Sequence, residues 1–147
     1  MEDEFGLVAV RQFSPQSFDR ILLDPPCSAL GLRPKLQLAK TYIKSLQGCA
    51  RYQKQFVSNA IALLKPGGIM TYSTCTIHNL ENEGMVRHIL DDYDGSMELL
   101  PITIPLGEPG LPGCGLNDQE RHYVKRFDPT SNLDTMGFFV AKFRKLR

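Results

Sequence analysis

Asp24, Cys27 and Cys75 are the side chains of this sequence whose types and settings suit chemistry. The first two lie in LLDPPCS, residues 22–28, and the third in TYSTCT, residues 71–76. A thiolate is a strong nucleophile toward an electron-poor double bond, and Ser73, Thr74 and Thr76 surround Cys75 with hydroxyls. A carboxylate at position 24 can hydrogen-bond the donor edge of a protonated or amino-bearing ring. Pro25 and Pro26 stiffen the loop into a platform for a flat ring. Each residue also has a plain structural reading. A buried cysteine is a common core filler, and an aspartate often closes a turn. Two thiols brought to neighbouring strand ends could instead share one reaction. His78, three residues after Cys75, is a weaker candidate for a base and reads equally as part of a helix entry. His88 and His122 sit among polar residues and read as solvated. Cys49 and Cys114 read as structural or surface thiols.

The elements that must position these groups follow from periodicity. Residues 1–17 show no clear period and read as an irregular lead-in. Residues 18–24, FDRILLD, form an apolar run stopped by Pro-Pro, which suits a buried parallel strand opening into a loop. At residues 50–64, Phe56, Val57, Ala60, Ile61 and Leu64 fall on one helical face. Pro66-Gly67-Gly68 is expected to end that helix. Residues 69–74 read as a second strand with Cys75 at its end. A helix then starts near Asn79, a plausible cap, with Met85, Val86, Ile89, Leu90 and Tyr93 on one face. Residues 97–102 read as a third strand, 117–125 as a short polar helix and 137–143 as the last strand. This order is half of an α/β sandwich with helices on a mostly parallel sheet. In such sheets ligands bind beyond the carboxyl ends of strands, where Asp24, Cys27 and Cys75 all fall.

Composition narrows the class. The chain has 147 residues, 42% apolar and 22% charged, which is enough to build one ordinary domain core. No window approaches 18 consecutive apolar residues, so no membrane span is expected. The four cysteines form no CxxC pair and match no usual zinc spacing. Without a secretory pattern at the N-terminus they are expected as free thiols in a reducing, intracellular compartment, with cytoplasm and nucleus not distinguished. The net charge is only +1, but residues 25–80 hold seven Lys or Arg and no Asp or Glu. Such a one-sign segment beside a candidate site steers a polyanion, although a solvated helical face explains it equally well.

These blocks resemble a known family. FDRILLDPPCSALG is similar to motif IV of the Nop/Sun (RsmB-like) RNA cytosine-5 methyltransferases, LLKPGGIMTYSTCTIHNLENE to their motif VI, and DTMGFFVAKFRK to their closing strand. GLPGCGLNDQERHYVKRFDP further resembles the sixth Sun-domain branch. The resemblance implies a partial class I methyltransferase (Rossmann-like) sandwich with strands 4 to 7 of the order 3-2-1-4-5-7-6, strands 1 to 3 lying outside the sequence. Residues 18–147 are then the C-terminal part of an S-adenosylmethionine-dependent RNA methyltransferase domain. It implies that Cys75 adds to cytosine C6, that Cys27 assists product release, and that Asp24 and Pro25 face the cofactor and cytosine pocket. S-adenosylmethionine is the implied cofactor. RNA is the implied partner, with tRNA or mRNA as the substrate class and tRNA favoured. Arg33, Lys35, Lys40, Lys44, Arg51 and Lys54 are the implied RNA-binding residues.

The sequence departs from that pattern in one respect. The family's Gly-rich cofactor turn, of the APGGKT type, does not occur, and Gly67-Gly68 follows a helix rather than a strand. Loss of a neighbour beside residues 21–23 would leave an apolar edge that invites self-association or a complementing half. An RNA cytosine-5 methyltransferase that needs a complementing half is therefore weighed against a catalytically inactive remnant that binds RNA or protein. An amino-methyltransferase is set aside, because Cys27 stands where that chemistry uses an aromatic ring.

Overall fold

The structure, a computed structural model, describes residues 13–33, 43–132 and 134–147. Five strands form one sheet: β1 (Phe18–Leu23), β2 (Leu64–Thr74), β3 (Met97–Leu100), β4 (Lys125–Phe127) and β5 (Phe138–Lys145). Three helices connect them: α1 (Ile43–Leu63), α2 (Glu83–Asp92) and α3 (Asp118–Tyr123). The strand order is β1-β2-β5-β3, and β4 also pairs with β5. β1 and β2 are parallel, while β5 runs antiparallel to β2, β3 and β4. Among the described residues four strands therefore point one way and β5 points back. This is the 4-5-7-6 portion of the order expected above, with one reversed strand wedged into a parallel sheet.

The core lies between one face of the sheet and helices α1 and α2. Met70, Tyr72, Phe139, Ala141 and Phe143 cover the sheet side, and Val57, Ala60, Ile61, Met85, Val86 and Ile89 the helix side. The pairings Met70↔Phe143 and Tyr72↔Ala141 put those side chains on one face, as the period of two requires. The opposite face carries Thr71, Lys142 and Arg144 in register, and Leu22 on β1 is 77% exposed.

Several boundaries differ from the sequence reading. α1 spans Ile43–Leu63, so the helical region extends to the N-terminal side of the stretch read at 50–64 and adds Leu46 to its buried face. Pro66-Gly67-Gly68 does not cap it. The helix already ends at Leu63, and the Pro-Gly-Gly run lies inside β2. There the register slips between Phe18↔Leu64 and Arg20↔Ile69, so residues 65–68 bulge from the ladder. Gly67 takes the left-handed φ of 78° that this bulge needs. The α1 C-terminus is capped instead by the buried Lys145, whose ammonium donates to the carbonyls of Ile61 at 2.8 Å and Leu64 at 2.9 Å. A cation there also opposes the helix dipole.

Asn79 is not the cap of α2. It opens a single 3-10 turn, Asn79–Glu81, capped by His78, and α2 starts after Asn82. β4 went unread, and the third strand stops at Leu100 rather than 102. His88 is not solvated. Its side chain is only 11% exposed and pairs with Asp92 at 3.1 Å. His122 is exposed as expected. Residues 13–17 carry no regular structure, yet Gln16 and Ser17 donate to the carbonyls of Ala62 and Leu63 and tie the lead-in to α1.

Candidate active site

The parallel pairing of β1 and β2 brings two carboxyl ends side by side, with Leu23 opposite Tyr72. Asp24 and Cys27 leave the first strand, and Cys75 follows the last residue of the second. Cys27 Sγ and Cys75 Sγ are 3.2 Å apart, within hydrogen-bonding contact, although 48 residues separate them. Both thiols are half-buried and free. They are neither sealed in core nor fully exposed.

Asp24 is exposed, and one carboxylate oxygen accepts from Ser73 Oγ at 3.1 Å. That bond fixes the carboxylate beside the strand end bearing Cys75. Pro25 is buried, whereas Pro26 is exposed. The carbonyl of Pro26 accepts from Gln53 Nε2 of α1 at 3.0 Å, which holds the loop from below. The far end of the loop is fixed too. Gly31 N donates to Cys75 O, and Gly137 N donates to Gly31 O. A Cβ on Gly31 would run into the backbone of Gly137, so this approach requires glycine.

The microenvironment favours the neutral thiol at Cys75. Burial first, then the hydrogen bond and charge of Cys27, then the charge of Asp24, push it up to about 11 from an ordinary 9.0. The thiolate is thus scarce at neutral pH in this state, and attack needs proton removal as the substrate arrives. His78, the weaker candidate for a base, has Nδ1 engaged in the 3-10 turn that follows, where it accepts from Leu80 N at 3.3 Å. Cys49 is half-buried, and burial followed by the charges of Glu81 and Cys27 raises its pKa. Cys114 accepts from Asn79 Nδ2 at 3.5 Å, away from the pair.

Of the basic residues, Lys44, Arg51 and Lys54 lie exposed along α1, with Lys54 on the side facing His88 of α2. Arg33 is exposed and pairs loosely with Asp134 at 3.5 Å. Lys35 and Lys40 lie outside the described residues. Asp24 fits one side of a cofactor or cytosine site: it is an accessible carboxylate at a parallel strand end. Among the described residues Gly67-Gly68 sits in the β2 bulge rather than in a turn following a strand.

Sequence reasoning missed the buried polar frame beneath the thiols. Glu81 and Glu83 are fully buried, as are Gln53 and Thr76. Glu83 pairs with Arg126 of β4 at 2.8 Å, and Arg126 also donates to Ile77 O, two residues past Cys75. In NLENE these carboxylates look like ordinary acids of a helix's first turn. Their one signal is that they directly follow a chemically loaded strand end.

Comparison with known proteins supplies the context. The family model described as "16S rRNA methyltransferase RsmB/F" matches residues 6–144. The rRNA (cytosine-C(5))-methyltransferase NOP2C of Arabidopsis thaliana is 47% identical, over 89% of this chain and 23% of its own length. The tRNA (cytosine(72)-C(5))-methyltransferase NSUN6 of Mus musculus is 36% identical, over 95% of this chain and 34% of its own. The crystal structure of NSun6 from Pyrococcus horikoshii with SFG, an S-adenosylmethionine analogue, superposes with a TM-score of 0.76 at 42% identity. It covers 89% of this chain and 31% of that one. The chain therefore spans about a quarter to a third of the length of these relatives.

Proposed function

Since the chain belongs to the RsmB/F family of RNA cytosine-C5 methyltransferases, we propose that it is the part of such an enzyme that carries the nucleophile. The observation that carries this reading is the 3.2 Å contact between the sulfurs of Cys27 and Cys75 beside Asp24. C5 of cytosine is a poor nucleophile until C6 carries an electron-donating adduct, so covalent catalysis divides one hard step into easier ones. Cys75, losing its thiol proton, adds through Sγ to C6. Asp24 holds the amino-bearing edge of the ring, oriented by Ser73. S-adenosylmethionine, when bound, supplies the methyl group that the activated C5 takes. A base then removes the C5 proton and the Cys75–C6 bond breaks. Cys27, already in contact with Cys75 Sγ, assists that release.

RNA enters over the exposed face of α1, where Lys44, Arg51 and Lys54 meet phosphates without reading bases. The sequence likeness to NSUN6 makes tRNA the favoured substrate class. The cofactor pocket is completed by a complementing segment beside β1. Two features support that placement. Among the described residues only β2 pairs with β1, and Phe13, Phe18, Ile21, Leu23 and Phe56 line an apolar groove of about 350 Å³ along it.

The test uses a longer polypeptide in which the chain is preceded by the corresponding N-terminal segment of the archaeal relative. Cys75→Ala is expected to abolish both methylation and the covalent RNA adduct. Cys27→Ala is expected to accumulate adduct while turnover falls. Methylation at the normal rate in Cys75→Ala overturns the reading.

A further inference from the structure

The position of the two thiols is set one residue further along each strand end. Ser28 follows Cys27 and Thr76 follows Cys75, and their hydroxyls hydrogen-bond each other at 2.8 Å. Ser28 is itself held twice by Glu81: its N–H donates to Oε2 at 2.9 Å, and its hydroxyl donates to Oε1 at 2.5 Å. Glu81 Oε2 accepts a third bond, from Gln53 Nε2 at 2.9 Å. The same Gln53 amide holds Pro26 O. Tyr72, fully buried on β2, donates to Glu81 O at 2.7 Å and fixes that residue's backbone.

Glu81 has no exposed surface, and among the described residues the donors to its carboxylate, Ser28 N–H, Ser28 Oγ–H and the Gln53 amide, are neutral. A carboxyl group out of water is unfavourable unless its oxygens are satisfied, and packing alone would be served by an apolar side chain. An acceptor with two oxygens is what this spot requires. Ser28 N–H, Ser28 Oγ–H and the Gln53 amide all point donors at it. Replacing Oε2 by an NH2 group would turn a donor onto the Ser28 N–H and the Gln53 amide, and replacing Oε1 would force the Ser28 hydroxyl to reverse and accept. We propose that Glu81 is a positioning residue that acts through Ser28 and Thr76 to hold Cys27 and Cys75 in contact. The proposal deepens the two-thiol reading above and rests on it for its catalytic meaning.

The test reads geometry alone, so it stands apart from any methylation assay. The chain is equilibrated with mixtures of oxidised and reduced glutathione, quenched with acid and mapped by peptide mass. Two thiols lose two protons and two electrons to one oxidised glutathione, which leaves an intramolecular disulfide and two reduced glutathiones. The fraction of Cys27–Cys75 disulfide gives the effective concentration of one thiol at the other. The wild-type chain is expected to form this disulfide. Ser28→Ala should lower the effective concentration about tenfold, the scale of one lost buried hydrogen bond. Glu81→Gln should lower it at least as far, and Ser28→Thr, which keeps the hydroxyl, should restore it. Thermal unfolding of Ser28→Ala checks that the fold persists, so the result holds even where Glu81→Gln fails to fold. No disulfide in the wild-type chain, an unchanged value in Ser28→Ala or in a folded Glu81→Gln, or a Ser28→Thr value as low as Ser28→Ala overturns the proposal. Failure of the Cys75→Ala adduct test would instead remove the catalytic meaning and leave this geometry standing.

Discussion

Removing Cys27 should make Cys75 more reactive toward a simple electrophile, even though it impairs the proposed turnover. Cys75 sits at about 11 against an ordinary 9.0. Burial is the largest cause and survives in Cys27→Ala. The hydrogen bond and charge of Cys27, next in size, are removed. Assigning them about half of the displacement lowers the midpoint by roughly one pH unit and raises the thiolate fraction near pH 8 about tenfold. A less basic thiolate is also a weaker nucleophile. A Brønsted slope of about 0.4–0.5 takes back roughly threefold, which leaves alkylation about threefold faster. The assay is timed iodoacetamide labelling across a pH series, read at the Cys75 peptide with Cys114, which contacts Asn79 rather than Cys27, as internal reference. In both proteins labelling should rise with pH, since the thiolate reacts, and the midpoint should be lower in the variant. An unchanged midpoint would refute the reasoning, even with faster labelling, because better access alone could produce the latter.

Two further outcomes follow from the buried polar groups. Lys145→Met keeps the length of the side chain but leaves the Ile61 and Leu64 carbonyls without their donor. It should cost about 2–3 kcal/mol in urea unfolding, and a loss below about 0.5 kcal/mol would contradict the capping role. His88 has a lowered pKa, mainly because burial disfavours its charged form, with Lys54 adding repulsion. Its folded value lies below the unfolded 6.5, so its share of stability is complete above 6.5 and is lost as pH falls toward the folded value. The opposing carboxylates of Asp92 and Asp91 do not cancel this. His88→Gln should therefore flatten the stability profile below 6.5, and an identical profile would show that another group titrates there.

The apolar code of the fold was legible and the polar frame was not. The 3.6 period was enough to place the body of α1, and short apolar runs bounded by Pro or Gly placed β1, most of β2 and β5, although β1, expected as a buried strand, has no fully buried residue. The strand ends bearing Asp24, Cys27 and Cys75 followed from Pro-Pro and from the hydroxyl-rich TYSTCT. What failed was whatever depends on a partner distant in sequence. Lys145 looks like part of a basic tail and in fact caps a helix that ends 82 residues earlier, at Leu63. β4, three residues reading Lys-Arg-Phe, has no period of its own and exists through its pairing with β5. Arg126 and Glu83 carry charges that single-sequence reasoning assigns to solvent, and only the fold buries them against each other. Glu81 is the same case at the site itself. Its role is visible only when residues 28, 53 and 76 stand around it.

The central claim is that Cys75 forms a bond to cytosine while Cys27 stands by to help break it. It is tested most directly with tRNA containing 5-fluorocytidine and the complemented polypeptide described above. Fluorine at C5 cannot leave as a proton, so the covalent intermediate persists and can be digested and sequenced by mass. The account predicts one cross-linked peptide, joined to the nucleotide through Cys75, and the same peptide in Cys27→Ala. A cross-link through Cys27 or any other residue would contradict it, as would methylation of ordinary tRNA with no trapped species on the fluorinated one.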